Sequence, residues 1–277
     1  MDNHAVGCQW MPELAQIFVY PIKALDGVAI LQTTVLPSGA LQYDREFAIV
    51  DAEGNVINGK RTAEVHRIRS SFDLETRTIA LRIEGEPGAT TFHLDVERSP
   101  VEQWLSAYFG FAVTLLQNTE TGFPDDTNSP GPTVISTETL RTIADWFPNL
   151  SLEAVRRRFR SNLEITGVEP FWEDCLFGSA VGEASLKADR VVPFHIGNVQ
   201  FAGVNPCQRC IVVTRDAMTG EPYPHFQKVF VAKRKETLPE WVEASRFNHF
   251  YRLAANTRVV QPQAGATLRV GDTIALD

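Results

Sequence analysis

The sequence predicts a mostly β chain with a few helices (α+β), and three observations carry that prediction. Short runs of alternating or β-branched residues recur along the chain. Gly, Asp, Asn and Pro turns separate them. Only a few segments carry the 3.6-residue apolar period of a helix. Short strands at this spacing fold as a β-barrel or a sandwich.

The elements follow in order. Residues 1 to 13 read as a loosely held leader. Ile17-Phe18-Val19-Tyr20 is strand-like and leads through the turn Leu25-Asp26-Gly27 to a run from Val28 to Leu36. Phe47 to Val50 and Asn55 to Ile57 flank the hairpin-type turn Asp51-Ala52-Glu53-Gly54. Thr78 to Ile83 and Thr91 to Val96 alternate around the Gly85–Gly88 turn. Ser99-Pro100-Val101-Glu102 predicts a capped helix start with Ser99 as N-cap and Pro100 at the first turn. Val101, Trp104, Leu105 and Tyr108 then share one face, and Gly110 stops the helix. The periodicity makes Trp104 and Tyr108 core residues rather than a cofactor platform.

Asn118 to Pro132 has almost no apolar content and three prolines, and it is the natural boundary between two subdomains. A second helix carries Leu140, Ile143, Ala144 and Phe147 on one face, with Ser136 before it and Pro148 after. Beyond Ser151 the pattern returns to strands, including Leu163 to Ile165, with Arg158 and Arg160 ahead of it on one strand face, and Ile211 to Thr214. A short helix is expected near Pro239 to Arg246. Leu268 to Leu276 reads as a turn-interrupted strand pair.

With 277 residues, 44% of them hydrophobic, the chain can bury one large core or two smaller ones. A net charge of -8 argues against a general nucleic-acid binder, so any anionic ligand needs a local cationic cluster. No apolar run has transmembrane length, and Met1 to Ala5 lacks the features of a signal peptide. Four cysteines (Cys8, Cys175, Cys207, Cys210) are too few for a disulfide framework. These points predict a soluble, cytoplasmic protein.

The stretch from Asn205 to Gly220 is the most informative. Cys207-x-x-Cys210 lacks the further Cys or His pair that a structural zinc site requires. The β-branched run after Cys210 does not suit a thioredoxin-like dithiol, which opens a helix. Two reduced cysteines in a half-buried turn is the plainer alternative. Arg209, if turned the same way as Cys210, would favour its thiolate as a soft-metal ligand.

Other candidates are basic or capping groups. Arg158 and Arg160 would share one strand face ahead of Asn162 and suit a phosphate or a heterocycle edge, although a solvated charge run is the simpler reading. Lys23, Arg45 and Lys60-Arg61 are basic points at turns. Ser136 and Thr139 open the second helix, as caps alone or also as an anion site. Of Glu173 and Asp174, adjacent on a strand, at most one enters a site. There is no G-x-G-x-x-G, Walker A, G-x-S-x-G or H-E-x-x-H pattern.

Three segments together resemble a known family. Tyr20-Pro21-Ile22-Lys23 with Tyr43-Asp44-Arg45, Arg158-Phe159-Arg160-Ser161-Asn162 with Glu173-Asp174, and Arg209-Cys210 with Thr214-Arg215-Asp216 and Thr219-Gly220 are similar to the signatures of MOSC-domain proteins. The likeness is to the type with an N-terminal β-barrel, which includes the amidoxime-reducing components and bacterial N-hydroxylated-compound reductases. It implies a MOSC N-terminal β-barrel domain over 15–118 and a MOSC domain over 119–277.

The resemblance also implies a molybdenum cofactor (Mo-molybdopterin) with Cys210 as the metal's protein ligand. Lys23, Arg45, Arg61, Ser136, Thr139, Arg160, Asn162 and Arg209 would hold the pterin and its phosphate. Asp174 and Asp216 would orient cationic residues or solvent, with Asp174 joining Cys210 in the catalytic set. The implied reaction is reduction of small N-hydroxylated or N-oxygenated substrates. No cysteine follows Cys210 to bind a ferredoxin cluster, so electrons would come from a separate reductase or ferredoxin-like protein. A carrier of molybdenum cofactor, or of persulfide sulfur on Cys210, is the alternative. The chain departs from the pattern at Ala24, where the family has serine, and at Ser161, where it has proline.

Overall fold

The computed structural model describes residues 11–178, 191–261 and 265–277. Cys8 and most of the expected leader lie outside the described residues. The first half contains strands β1 (Glu13–Val19), β2 (Val28–Ile30), β3 (Gln32–Thr34), β4 (Phe47–Asp51), β5 (Ile68–Asp73), β6 (Thr78–Ile83) and β7 (Thr90–His93). Helix α1 (Arg98–Phe109) and strand β8 (Val113–Gln117) complete it. Residues 118–132 form neither helix nor strand. Next come β9 (Val134–Ser136), α2 (Thr137–Trp146), α3 (Leu152–Phe159), β10 (Leu163–Thr166), β11 (Val192–Ile196) and β12 (Val199–Gln208). The chain continues through α4 (Phe226–Glu236), β13 (Arg252–Val259), β14 (Thr267–Arg269) and β15 (Ile274–Leu276). The architecture is mostly β with four α-helices, and no sheet closes on itself among the described residues.

An eight-stranded sheet runs β15-β11-β12-β13-β9-β10-β1-β2. β1 lies antiparallel to β10, with Leu14 opposite Ile165 and Ile17 opposite Leu163. β3 pairs with β14 near the other end of the sequence. Leu14, Ile17, Val19, Val35 and Leu41 are therefore buried with Leu163, Ile165, Phe194 and Phe201. A second core, around Phe47, Ile49, Ile68, Leu81 and Leu105, lies among β4–β8 and α1. A third, aromatic core joins α2, α3 and α4: Phe147 stacks on Phe226 at 4.3 Å, and Phe230 packs on Phe159 at 5.7 Å. Burying each such ring contributes about 1.5–3 kcal/mol. The second core ends at Leu115 and the other two resume at Val134 and Ile135, on either side of the Asn118–Pro132 linker, while β1 and β2 of the first half pack into the first core.

Several local expectations need correction. α1 begins at Arg98, with Glu97 at the cap and no side-chain capping bond, so Ser99 lies inside the helix; Gly110 does end it, at φ 77°. Arg156 to Phe159 belong to α3, not to a strand. Ser151 accepts from Ala154 N–H to start that helix, and Val155 and Phe159 fall four apart on its buried face. Ile211–Thr214 is a 3-10 turn in which Thr214 Oγ1 donates to the Ile211 carbonyl at 2.7 Å. Glu173 and Asp174 sit in another 3-10 turn, Trp172–Leu176. That turn lies close against β12: a Cβ on Gly203 would fall 1.7 Å from the Leu176 carbonyl oxygen. Only Ala244–Arg246 is helical in the 239–246 segment, as a 3-10 turn, whereas α4 was not anticipated. β14 and β15 pair with β3 and β11, not with each other.

Candidate functional site

A cleft of about 1460 Å³ lies between the two halves of the chain, and the 118–132 linker forms part of its wall. Thirteen Lys and Arg residues line it against five Asp and Glu, whereas the whole chain carries 26 against 34. Half of the protein's fixed positive charge therefore faces one concavity. Most of these cations already have carboxylate partners, such as Asp125 for Lys23 at 2.7 Å and Glu164 for Arg156 at 2.7 Å. Lys60, Arg160, Arg209, Arg215 and Arg252 make no ion pair among the described residues, which leaves charge for an anion from outside the chain.

Tyr20 is the centre of one wall. The guanidinium of Arg160 lies 4.1 Å from its ring centroid and that of Arg45 5.0 Å. Its hydroxyl donates to the Ser161 carbonyl at 3.2 Å. Burial pushes the phenol up to about 12 against the pull of Arg160 and Arg45, so Tyr20 is a neutral platform at pH 7. Arg45 pairs with Asp44 and donates to Asn162 Oδ1 and the Arg160 carbonyl, each at 3.5 Å. Asn162 also donates to the Phe18 carbonyl at 3.1 Å and accepts from Thr133 N–H at 3.2 Å, which ties β1 to the entry of β9. Ala24, Arg45 and Arg160 line the cleft with φ of 74°, 52° and 52°. Left-handed backbone costs a non-glycine residue about 1–2 kcal/mol, and such strain concentrates at working sites.

The cysteines line the same cleft. Cys207 near the end of β12 and Cys210 just beyond it are both half-buried, free and on the cleft. Tyr251 donates to the Cys210 carbonyl at 3.4 Å, and the Arg209 amide donates to the Tyr251 carbonyl at 3.0 Å, fixing the turn. Arg209 stacks over Phe159 at 5.3 Å and donates to its carbonyl, while its Nε and Nη2 are buried without a partner. Unpartnered buried guanidinium donors on a cavity wall fit an anionic ligand. Among the described residues no group of three His, Cys, Asp or Glu could hold a metal by itself. A single thiolate suits a soft metal whose other ligands arrive with a cofactor.

The structure brings together Lys23, Arg45, Arg160, Asn162, Arg209 and Cys210 on this cleft. Lys23 Nζ is held by the Phe123 carbonyl at 2.9 Å and by Asp125, so it anchors the linker loop as well as adding charge.

The remaining sequence candidates are placed elsewhere. Arg61 turns to Asp51 at 2.7 Å, and its neighbour Lys60 lines the cleft in its place. Asp216 sits behind the wall, capping its own turn through Met218 and Thr219 N–H and facing Arg158 at 3.4 Å. Ser136 and Thr139 are fully buried and bound to Glu173 Oε2, so no anion reaches them. Asp174 pairs with Arg234 in the interior, away from the cleft. His66, Arg69, Arg252 and the 121–131 loop line the cleft without having been expected there, since their positions depend on how the halves pack.

Residues 11–121 match the MOSC N-terminal beta barrel domain model, and residues 133–275 match the MOSC domain model. The chain belongs to the MOSC family. Among curated proteins this MOSC chain is 27% identical over 243 residues to a Drosophila melanogaster protein named molybdenum cofactor sulfurase, covering 77% of this chain and 29% of the relative. It is 24% identical over 271 residues to molybdenum cofactor sulfurase 2 of Culex quinquefasciatus, covering 81% and 33%. It is 23% identical over 264 residues to the Homo sapiens molybdenum cofactor sulfurase, covering 78% and 28%. The MOSC chain thus spans about a third or less of the length of these relatives. No helix among the described residues is long and apolar enough to cross a membrane.

Proposed function

We propose that the cleft binds molybdenum cofactor with Cys210 as the protein's ligand to the metal, and that the protein is an oxidoreductase that removes oxygen from N-hydroxylated or N-oxygenated small molecules. Electrons come from a separate donor protein. The observation that carries this reading is a free thiol on a cleft where cations outnumber carboxylates thirteen to five, in a chain of net charge -8. A pterin phosphate and a dithiolene-bound metal together form an anionic ligand with soft sulfur, matching that donor set. When bound, the cofactor supplies a redox metal able to take up an oxygen atom and pass it on as water.

The chain's own residues do the rest. Arg45 and Arg160 hold negative charge against the Tyr20 platform, already oriented by Asp44 and Asn162. Arg209 offers its Nε and Nη2, unpartnered among the described residues, to an anion in the same cleft. Lys23 secures the linker loop that forms part of the wall.

The deciding measurement is metal and pterin content in protein produced with ample molybdenum, for the parent and Cys210→Ala, followed by reduction of benzamidoxime with purified donors. Near-stoichiometric molybdenum that is lost in the variant, with turnover in the parent, is expected. A parent holding neither metal nor pterin would sink the reading.

A second reading is favoured by one observation: Cys207 is another free thiol on the same cleft. Together with relatives named as sulfurases, this supports a role as a carrier of cofactor or persulfide sulfur. Transfer of cofactor or sulfur to an apo-enzyme, with no substrate reduction, separates the two.

A further inference from the structure

His66 lies in the 3-10 turn Ala63–Arg67 and lines the cleft, yet the reading above gives it no task. Its Nε2 is buried and has no hydrogen-bond partner among the described residues. The ring fits because residue 59 is glycine: a Cβ there would lie 2.6 Å from His66 Nε2 and 3.1 Å from the Val212 side chain. The imidazole therefore packs near the turn that follows Cys210.

Four charged groups act on it. Arg160 at the end of α3, Arg215 after the Ile211–Thr214 turn and Arg69 on β5 repel a proton, while Asp216 attracts one. Asp26 at 3.1 Å and Glu84 at 3.7 Å balance Arg69, and Asp216 is occupied by its own turn and by Arg158. Arg160 and Arg215 form no ion pair among the described residues, and Asp26 and Asp44 act on Arg160 only from beyond ion-pair distance. Two of the cations around His66 are thus left without an ion-pair partner and able to meet an anion in the cleft.

We propose that His66 is a positioning residue coupled to anion binding: when an anion fills the cleft beside Arg160 and Arg215, His66 takes up one proton and holds it on the wall. This rests on the anionic-cofactor reading of the cleft and deepens it. In the free protein, burial first and then the arginines push the imidazole down to about 4, so it is neutral at pH 7. An anion that neutralises Arg160 and Arg215 removes the repulsion and gives a stranded polar atom a reason to ionise. The bound state then holds a proton more tightly than the free state. Anion binding therefore strengthens as pH falls from the bound midpoint towards the free one, by about tenfold per unit of separation. The proposed reaction releases oxygen as water and consumes protons, and His66 keeps one within the cleft.

Sulfate is a suitable probe, because its own charge is constant over the range used. The midpoint of His66 is read by NMR on cofactor-free, histidine-labelled full chain, with and without saturating sulfate, using His66→Gln to assign the signal. The expected result is a free midpoint near 4 that rises by about two pH units with sulfate. Sulfate affinity from calorimetry should rise about tenfold from pH 7 to pH 5 in the parent and stay flat in His66→Gln. In Arg160→Gln the free midpoint should already be raised. Sulfate binding that leaves the midpoint unmoved overturns the proton coupling while the cofactor reading stands. No sulfate binding at all overturns the coupling as well, and the cofactor reading then stands or falls on the metal and pterin content.

Discussion

The Tyr20–Arg45–Arg160 cluster and the Glu173–Asp174–Arg234 cluster draw on similar side chains, but they differ in access and in charge. The first opens on a 1460 Å³ cleft, and Arg160 has no carboxylate partner there. The second is sealed: Arg234 and Glu173 are 0% exposed and Asp174 2%. Arg234 is sandwiched by Phe171 at 4.3 Å and Phe247 at 4.9 Å. Burial and the Asp174 charge push Glu173 up to about 8, so it is mostly protonated at pH 7 and the triad is close to neutral. The sealed cluster contains buried polar atoms without partners among the described residues, Glu173 Oε1 and Arg234 Nε, just as the cleft wall does at Arg209. Orphaned atoms alone therefore do not mark a ligand site. An open cavity and unbalanced charge must accompany them.

Four experiments break or sharpen this contrast. Arg234→Met should cost about 3–5 kcal/mol in urea unfolding, because it strands Asp174 in the interior. A loss under about 1 kcal/mol would deny the sealed cluster its structural role. Arg160→Gln should do the reverse: cofactor binding weakens about ten- to a hundredfold, the worth of a hydrogen bond to a charged group, while stability moves by less than about 1 kcal/mol. Equal damage to folding would mean that Arg160 is a strut.

The pH profile separates the clusters next. The folded state keeps the Glu173 proton up to about 8, whereas the unfolded chain releases it near the ordinary value of 4.5. The stabilising contribution is complete below 4.5 and is lost as pH rises towards 8, with a slope of at most about 1.4 kcal/mol per pH unit. Glu173→Gln should remove that slope, and an unchanged profile would show that Glu173 is ionised in the fold. The smallest effect is expected at Cys175, whose thiol is pushed up to about 12 by burial and by the Glu173 and Asp174 charges. Iodoacetamide at pH 8 should label Cys207 and Cys210 well before Cys175, as read by peptide mass. Rapid Cys175 labelling would mean that the interior opens.

The sequence made the cleft legible only through its local grammar. Tyr20 to Lys23, Asp44-Arg45, Arg160 to Asn162 and Arg209-Cys210 are short segments whose spacing survives any tertiary arrangement, and the structure gathers all of them. Ser136 as the cap of α2 was equally local, since it needs only Thr139 N–H three residues on. Burial was not legible. Nothing near Thr139 or Asp174 announces that Glu173 and Arg234, 34 and 60 residues away respectively, will occupy them. The signals for α3 and α4 were present, as Val155/Phe159 and Phe226/Phe230 at four-residue spacing. Arginine-rich and β-branched neighbours masked them. In Ile211–Thr214, strand propensity lost to a turn held by Thr214.

The pairing of β1 with β10 also bears on how the protein is made. Leu14 leaves the ribosome about 150 residues before its partner Ile165, roughly 8–30 s at ordinary rates of synthesis. During that interval an apolar strand has no native neighbour on its β10 edge, while the β4–β8 core can already assemble behind it. The nascent chain is thus a folded middle preceded by an unpaired apolar strand edge, the form that holdase chaperones bind.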